Sequence, residues 1–562
     1  MWTQNYDPTG SWPLSTLLAA VPVLILLGLL ASGRASAWQS ALAGLVAASA
    51  MAVGAFGMPP GFALAAAGHG VIFATFRIAW LIVAAVFLYD LAVATGQFEV
   101  MKASIAGLSG DRRLQAVLVA FSFGAFLEGA AGFGAPVAIS SAFLVGLGFR
   151  PFQSALLCLI ANTAPVAWGS IAIPIRTLQA VTGLDVEALS ATSGRILPPL
   201  SLILPFWLVR TMVPWRETLA VWPALLTIGG VFAAVQFAWS NFVGVELVDL
   251  ASSVGSLLAG VVVLKVWKPR AEWRFPHDEA PDRAATDPGS APAISPSAGA
   301  VAKAWMPFAL LTATVLTWGL PPVKRAMDGA TSWKWEVSGL HNRIARGQAL
   351  TGHAEPTPGD REKAEADIVP VSATGTAVFV AAAMSGLLLG VRPARMARML
   401  GATVVRLVPA IAAIAAMLAL GFVTKASGMD VVLGLAFTRT GPLLYPVFGT
   451  LLGWLGVALT GSDTSSNVLF GNLQRITAEK LGLSPVLMAS ANTTGGVMGK
   501  MIDAQSIVVA AAATGEAGNE GKLLRAVLGH SVALVLLVGA IVWTYAHLLP
   551  GLVVEGPAAG PR

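Results

Sequence analysis

The chain has 562 residues, 56% of them hydrophobic and only 11% charged, with a mean hydropathy of +0.74. Soluble domains carry about 25% charged residues, so composition excludes a soluble enzyme or binding module and points to an all-α polytopic membrane protein. The net charge of +6 is assigned to basic loops beside membrane spans and implies no nucleic-acid partner.

The 59 glycines and 34 prolines fall inside apolar runs, which suits close helix packing and broken helices rather than disorder. A single cysteine, Cys158, excludes an intramolecular disulfide. The N-terminus MWTQNYDPTG lacks the basic region of a signal peptide, so the first apolar segment is expected to remain as a span. Segments 14–30 and 37–56 form a first hairpin around Arg34. Segment 61–76 holds His69 and ends at Arg77, reading as an interfacial or poorly inserted helix before the span 78–95. Lys102, Arg112 and Arg113 mark a cytoplasmic loop.

The run 114–149 is too long for one span, and EGAAGFGAPVAIS (128–140) interrupts it. Gly129, Gly132 and Gly134, followed by Pro136, disfavour a continuous helix, so two segments meeting at a re-entrant turn are expected. A carboxylate such as Glu128 at this depth costs about 2.5–3.5 kcal/mol on insertion scales, which makes it a functional candidate. The alternative is a carboxylate that caps a helix end or pairs with an arginine. After Arg150 and Pro151, the span 152–175 holds ANTAPVAWGS (161–170). Arg176, Asp185, Glu187 and Arg195 punctuate a polar stretch before spans at 196–213, 219–237 and 247–264. Lys265, Lys268, Arg270 and Arg274 return the chain to the cytoplasm, and 271–300, rich in Pro, Ala, Ser and Asp, reads as a disordered linker.

The second half opens with 305–320. A polar insertion, 321–370, carries seven Lys/Arg and seven Asp/Glu. Because Arg392, Arg395 and Arg398 mark the cytoplasm after the span 373–391, the insertion is expected on the outer face, with Trp333 and Trp335 at the membrane interface. Segments 407–423 and 431–436 lead to 443–460, where GSDTSSN (461–467) breaks the apolar pattern. The alternative for that break is an ordinary water-facing loop. ANTTGGVMGK (491–500) then places an amide, two hydroxyls, three glycines and a lysine inside an apolar segment. The last span is 524–549, with His530 packed or near the interface.

Asn162 and Asn492 lie 330 positions apart (492 − 162), each within Ala-Asn-Thr and each followed seven residues later by a glycine, Gly169 or Gly499. Asp463 precedes Asn492 by 29 residues, as Phe133 precedes Asn162, so the two breaks occupy matching places in the two halves. Paired, Gly/Pro-interrupted apolar segments in corresponding positions point to a transporter's binding site. Helix packing through Gly and Thr alone accounts for neither the asparagine nor the repetition. The expected architecture is about 12–14 transmembrane helices in two structural repeats with re-entrant or broken helices. The halves are 1–264 and 305–550, the second holding the outer insertion 321–370, with a cytoplasmic linker 265–304 and a tail 551–562. The loop charges place both termini outside, in the periplasm where there is one.

Five stretches, EGAAGFGAPVAIS (128–140), ANTAPVAWGSIAIP (161–174), SATGTAVFVAA (372–382), GSDTSSNVLFGNLQ (461–474) and ANTTGGVMGKMIDAQSI (491–507), closely resemble motifs of the bacterial lactate permease family, in order from about residue 10 to 550. The resemblance implies a lactate and glycolate proton symporter of the inner membrane. It also implies a place among a wider group of organic-anion carriers with inverted repeats, re-entrant hairpins and Asn-Thr motifs at hairpin tips. Two positions depart from the family pattern: Asp503-Ala504 stands where Ser-Pro is usual, and Arg176 where an uncharged residue is expected.

A small 2-hydroxy-monocarboxylate offers one negative charge, one hydroxyl and a short apolar tail. The charge suits half-helix N-termini and one cation, Lys500; an ion pair between Lys500 and Asp503 is the alternative. The expected substrate-binding set is Gly132, Phe133, Gly134, Asn162, Thr163, Ser462, Thr464, Ser465, Asn467, Asn492, Thr493, Thr494 and Lys500, with Phe133 or Trp168 facing the tail. Glu128 and Asp463 are the proton-coupling candidates. Glu128 has apolar neighbours in sequence, which raise a carboxyl pKa, so it is assigned the proton. Asp463 sits among hydroxyls and an amide that stabilise its charge. The expected partners are the anion, a proton and the lipid bilayer; no cofactor, metal or catalytic residue is expected. A membrane-embedded enzyme would need an HExxH, a GxSxG or a Cys/His cluster, and the sequence has none.

Overall fold

The computed structural model describes residues 1–32, 35–130, 132, 135–275, 296–351, 353, 355–516 and 519–556. Arg34, Phe133, Gly134, most of the linker (276–295) and the end of the tail (557–562) lie outside the described residues. Nine described helices are long and apolar enough to cross a membrane, or eleven if each of two bent pairs counts as one span. The expected twelve to fourteen is reached only by adding shorter apolar helices such as Trp12–Leu26, Trp38–Gly54 and Thr374–Leu388.

The region read as two segments, 61–76 and 78–95, is a single helix of 35 residues, Pro60–Ala94, and the span read over 407–423 belongs to another, Pro393–Ser427. Arg77 does not end the first: a π-helical stretch, Ala74–Ala79, carries the backbone through it. His69 Nε2 lies 3.2 Å from the carbonyl of Glu365 in the polar insertion, so protein rather than lipid headgroups satisfies the imidazole.

Two helical hairpins enter from opposite faces. The first rises through Arg112–Ala130 and returns through Pro136–Gly146. Arg112 closes its base, donating to the carbonyl of Leu147 at 2.5 Å and lying over the Phe149 ring. Beside it the buried pair Arg113–Asp111 (2.6 Å) binds Ala271 O and Glu217, so this face carries the basic loops. The rising arm runs against Val248–Val266, with Ser122 Oγ 2.8 Å from Ser256 Oγ. The second hairpin comprises Gly441–Thr460 and Asp463–Leu481 and opens toward the insertion. Lys480 Nζ donates to the carbonyls of Ala349 and Leu350 there, at 2.8 and 3.1 Å.

Each hairpin tip has a glycine in the left-handed region, Gly132 (φ 53°) and Gly461 (φ 72°). A Cβ at either would be strained, which is why the chain reverses at these points.

Two spans pass beside the tips, also in opposite senses, one broken by a bend and the other, Pro485–Thr514, by a 3₁₀ turn. Pro151–Ala161 rises from the basic face and Val166–Thr182 continues after a 67° bend. That second segment ends near the insertion face, where Lys425 Nζ donates to Val181 O at 3.1 Å. Pro485–Gly499 descends alongside Gly441–Thr460; a Cβ at Gly453 would strike the Asn492 backbone, so glycine permits this close approach. A 3₁₀ turn, Lys500–Ile502, then leads to Ala504–Thr514, which packs on the returning arm of the first hairpin.

On the insertion face, Trp333–Glu336 pairs antiparallel with Glu365–Ile368. The N-terminal Trp2–Thr3 pairs parallel with Ile344–Ala345, so the N-terminus and the insertion share one face.

Candidate functional site

The rising arm of the first hairpin, the tip of the second and the two spans beside them line a cavity of about 90 Å³. By that measure about 10–15 Å³ holds one water, so there is room for several waters or one small anion. Glu128 and Gly169–Ser170 form one wall, Gly461, Ser462, Asp463 and Thr464 the opposite one, and Lys500 and Gln505 complete it.

Glu128 sits near the end of the rising arm, 5% exposed. Its Oε2 has no hydrogen-bond partner among the described residues. The absence of side chains at Gly132 and Gly169 makes room for it: a Cβ at Gly169 would stand 2.8 Å from Oε1. The amide of Asn162 lies beside this carboxyl, buried and short of hydrogen-bond geometry at both its atoms.

Asp463 opens its helix, behind Ser462, whose side chain accepts from Ser465 N as the N-cap. Its Oδ2 accepts from the hydroxyl of Thr493 and, at 3.5 Å, from the amide of Asn467, while Oδ1 has no partner among the described residues. Asn467 also donates to Thr493 Oγ1 (3.1 Å) and to Pro174 O (3.2 Å), and its oxygen accepts from Asn492 at 2.9 Å. Gln474 continues the chain, donating to Asn492 Oδ1 at 3.3 Å and accepting from the Tyr445 hydroxyl at 2.8 Å. Asn467 therefore ties the second hairpin to both broken spans.

Lys500 is buried at the end of its helix. Its Nζ donates to Gly461 O at 2.7 Å and stands 3.3 Å from Asp503 Oδ2, an ion-pair distance without hydrogen-bond geometry. Asp503 meanwhile caps the next helix through Ser506 N at 2.7 Å.

Several expected residues stand elsewhere. Thr163 donates to its own helix at Ile160 O (2.8 Å) and faces a separate apolar cleft with Leu200 and Met498. Thr494 likewise bonds within its helix, to Ser490 O (2.8 Å). Trp168 is fully buried and donates to Ser190 Oγ at 2.9 Å, so it serves the core. Phe133 and Gly134 lie outside the described residues. No hydrogen bond between described residues joins Asn162 or Thr163 to Asn492 or Thr493. The segment 491–500 is not itself a break: it is helical to Gly499, because its glycines pack against Gly441–Thr460. In 461–467 only Gly461 and Ser462 interrupt the helix.

Asp249 was invisible to the motif reading. It is buried in the first turn of Val248–Val266, both carboxyl oxygens lack partners among the described residues, and a Cβ on Gly129 would meet its Cβ at 2.9 Å. A lone carboxylate in an apolar span was the available signal. Arg176, the other departure noted in sequence, pairs with Glu246.

Residues 15–549 match the family described as L-lactate permease. The chain belongs to the L-lactate permease family. The match to this family spans both hairpins and both broken spans, so every wall of the cavity lies within it. A glycolate permease of Escherichia coli strain K12 is 43% identical over 99% of this chain and 100% of its own length. An L-lactate permease of Bacillus subtilis is 43% identical over 98% and 100%. A solved antimetabolite efflux pump of Neisseria gonorrhoeae, MtrF, is 12% identical, covers 86% of this chain and 84% of its own, and has a TM-score of 0.44. The L-lactate permease relatives are named transporters, and the chain is a multi-pass membrane transporter.

Proposed function

We propose that the protein takes up L-lactate, and with it D-lactate and glycolate, together with protons across the bacterial inner membrane. The full-length similarity to relatives named L-lactate permease and glycolate permease carries the substrate class. The basic loops on one face and the insertion on the other support an orientation with the insertion outside.

The charges around the cavity supply the argument for coupling. One ammonium, Lys500, faces Asp463, Asp503 and Glu128. With all three carboxyls ionised the site repels a second anion. Binding a proton before or with the carboxylate offsets the charge that the anion brings, so the loaded site carries no more negative charge than it did before loading. Glu128 is the proton carrier in this reading, because no donor holds its Oε2 as an anion, whereas Asp463 has a hydroxyl and an amide on one oxygen. The substrate carboxylate meets Lys500 and its hydroxyl meets Ser462 or Thr464. Asn467, Asn492 and Thr493 hold the second tip in register beneath them.

Uptake of labelled L-lactate and glycolate into proteoliposomes, alkaline inside and with or without Na⁺, tests this. The expected result is accumulation that a protonophore abolishes and that Na⁺ leaves unchanged. A Na⁺ requirement, or stronger competition by a dicarboxylate than by glycolate, overturns it. The size of the cavity and Lys500, the one cation among its described walls, favour a monocarboxylate.

A further inference from the structure

The polar insertion stands apart from the buried site, yet it roofs the larger of two cavities that meet on one helix. This vestibule, about 670 Å³, lies on the insertion face between Trp80, Arg176, Gln179, Lys324, Asp328 and Trp333. Its described walls also include Lys334, so three cations face one carboxylate, and the Ser372 hydroxyl already donates to that carboxylate. Arg176 is engaged by Glu246, and Lys334 lies 3.7 Å from Glu365. Lys324 has no ion-pair partner among the described residues and is exposed on Pro321–Thr331, with Glu187 and Glu246 within its electrostatic reach.

The helix Gly169–Thr182 lines both spaces. Ile173 and Pro174 face the buried cavity, while Arg176 and Gln179 face the vestibule. Pro174 and Arg176 are two residues apart, about 3 Å along a helix axis. One turn of one helix is therefore both roof of the inner site and floor of the outer one, and the Arg176–Glu246 pair lies on that floor.

We propose that the vestibule is an antechamber that collects small carboxylate anions through Lys324 before they pass Arg176 to the buried site. The inference rests on the transport reading above and gives the insertion a task. A cation at the mouth of a low-dielectric cleft raises the local concentration of anions and the rate of capture without altering the translocation step.

Lys324 is exposed, so its substitution spares the fold. In intact cells, Lys324→Gln is expected to raise the apparent KM for L-lactate about three- to tenfold, Lys324→Glu to raise it further, and Lys324→Arg to restore it. Vmax stays within about twofold, high salt narrows the difference, and inside-out vesicles show none. A second readout is independent of the substrate. Cys158 is buried, so a Ser332→Cys thiol in the vestibule is the reactive one. Its modification by an anionic relative to a cationic thiosulfonate should fall at least about threefold with Lys324→Gln. An unchanged labelling ratio overturns the antechamber, as does an unchanged KM where the native protein takes up lactate. If the native protein moves neither lactate nor glycolate, the substrate reading fails and the labelling ratio alone decides the antechamber.

Discussion

Lys500 shows how one side chain serves two demands. An unpaired ammonium at this depth is expensive, and Gly461 O and Asp503 offset that cost. The same two contacts join the second hairpin tip to the second broken span, so an arriving carboxylate finds its cation already positioned. Lys500→Gln keeps a hydrogen-bond donor on a slightly shorter side chain but removes the charge. It is expected to raise the half-saturating lactate concentration at least about tenfold, or about 1.4 kcal/mol of binding, at unchanged protein abundance. Near-native affinity would leave Lys500 with only its pairing to Asp503. Sequence reading found Glu128, Asp463 and Lys500 because charge inside an apolar run is conspicuous at any register. It missed Asp249, since an aspartate at the start of a span reads as a favourable helix N-terminus; only packing against Gly129 brings it beside the arm that carries Glu128.

At the scale of elements, the break after Asn162 contains an unusual local structure. Ser170, Ile171 and Ala172 all have positive φ, 49°, 61° and 62°, a left-handed turn of three non-glycine residues. Each such residue costs about 1–2 kcal/mol, and the turn adjoins the cavity through Ser170. Strain of this kind collects where a chain must change shape. Ala172→Gly removes the Cβ penalty at the price of some unfolded-state entropy, so it should stabilise the detergent-solubilised protein by about 0.5–1 kcal/mol and raise its Tm. A lowered Tm would refute the strain. The insertion offers a separate check outside the membrane. Asp360 accepts from Thr357 N, Thr357 Oγ1 and His353 Nδ1 at 2.8, 2.7 and 2.9 Å, and these bonds hold its carboxyl down at about 2. An unfolded aspartate titrates near 3.9, so the stabilisation is complete above that value and is lost as pH falls through about 2. Acid-stable proteolysis of the insertion should therefore increase between about pH 4 and pH 2, and Asp360→Asn should flatten that rise. The positions of these elements were legible where glycine and proline force a turn, as at 129–136 and 461. They were not legible where a polar run stays helical, as at 491–499, because the neighbouring helix that accommodates those glycines lies about 40 residues earlier in the chain.

Across the whole molecule, two hairpins and two broken spans of opposite sense converge on one cavity. That arrangement suits alternating exposure of a single site. The matching offsets in sequence supplied its outline only in part: Gly461 turns the chain where a break was expected, but Asn162 closes its helix whereas Asn492 lies inside one. What the outline lacked was the distribution of donors. Asn467, Asn492 and Thr493 gather around Asp463, while Glu128 faces two glycines, the unbonded amide of Asn162 and, behind Gly129, Asp249. The asymmetry sets different tasks for the two carboxyls in a cycle that must not return empty with a proton. Glu128→Gln imitates the protonated carboxyl throughout the cycle. The site then remains permissive for the anion but has no proton to release, so lactate should exchange between equal pools at near-native rates while an imposed pH gradient drives no accumulation. Asp463→Asn leaves one acceptor oxygen for Thr493 and Asn467 but removes the charge and puts an NH2 donor in place of the other oxygen, which disturbs the register of the second tip, so exchange and accumulation should fall together. Both variants are compared in the same proteoliposomes, with counterflow and gradient-driven uptake measured side by side. If Glu128→Gln still concentrates lactate and Asp463→Asn is the variant confined to exchange, the proton travels on Asp463, and the donors around it serve to release that proton rather than to hold a permanent charge.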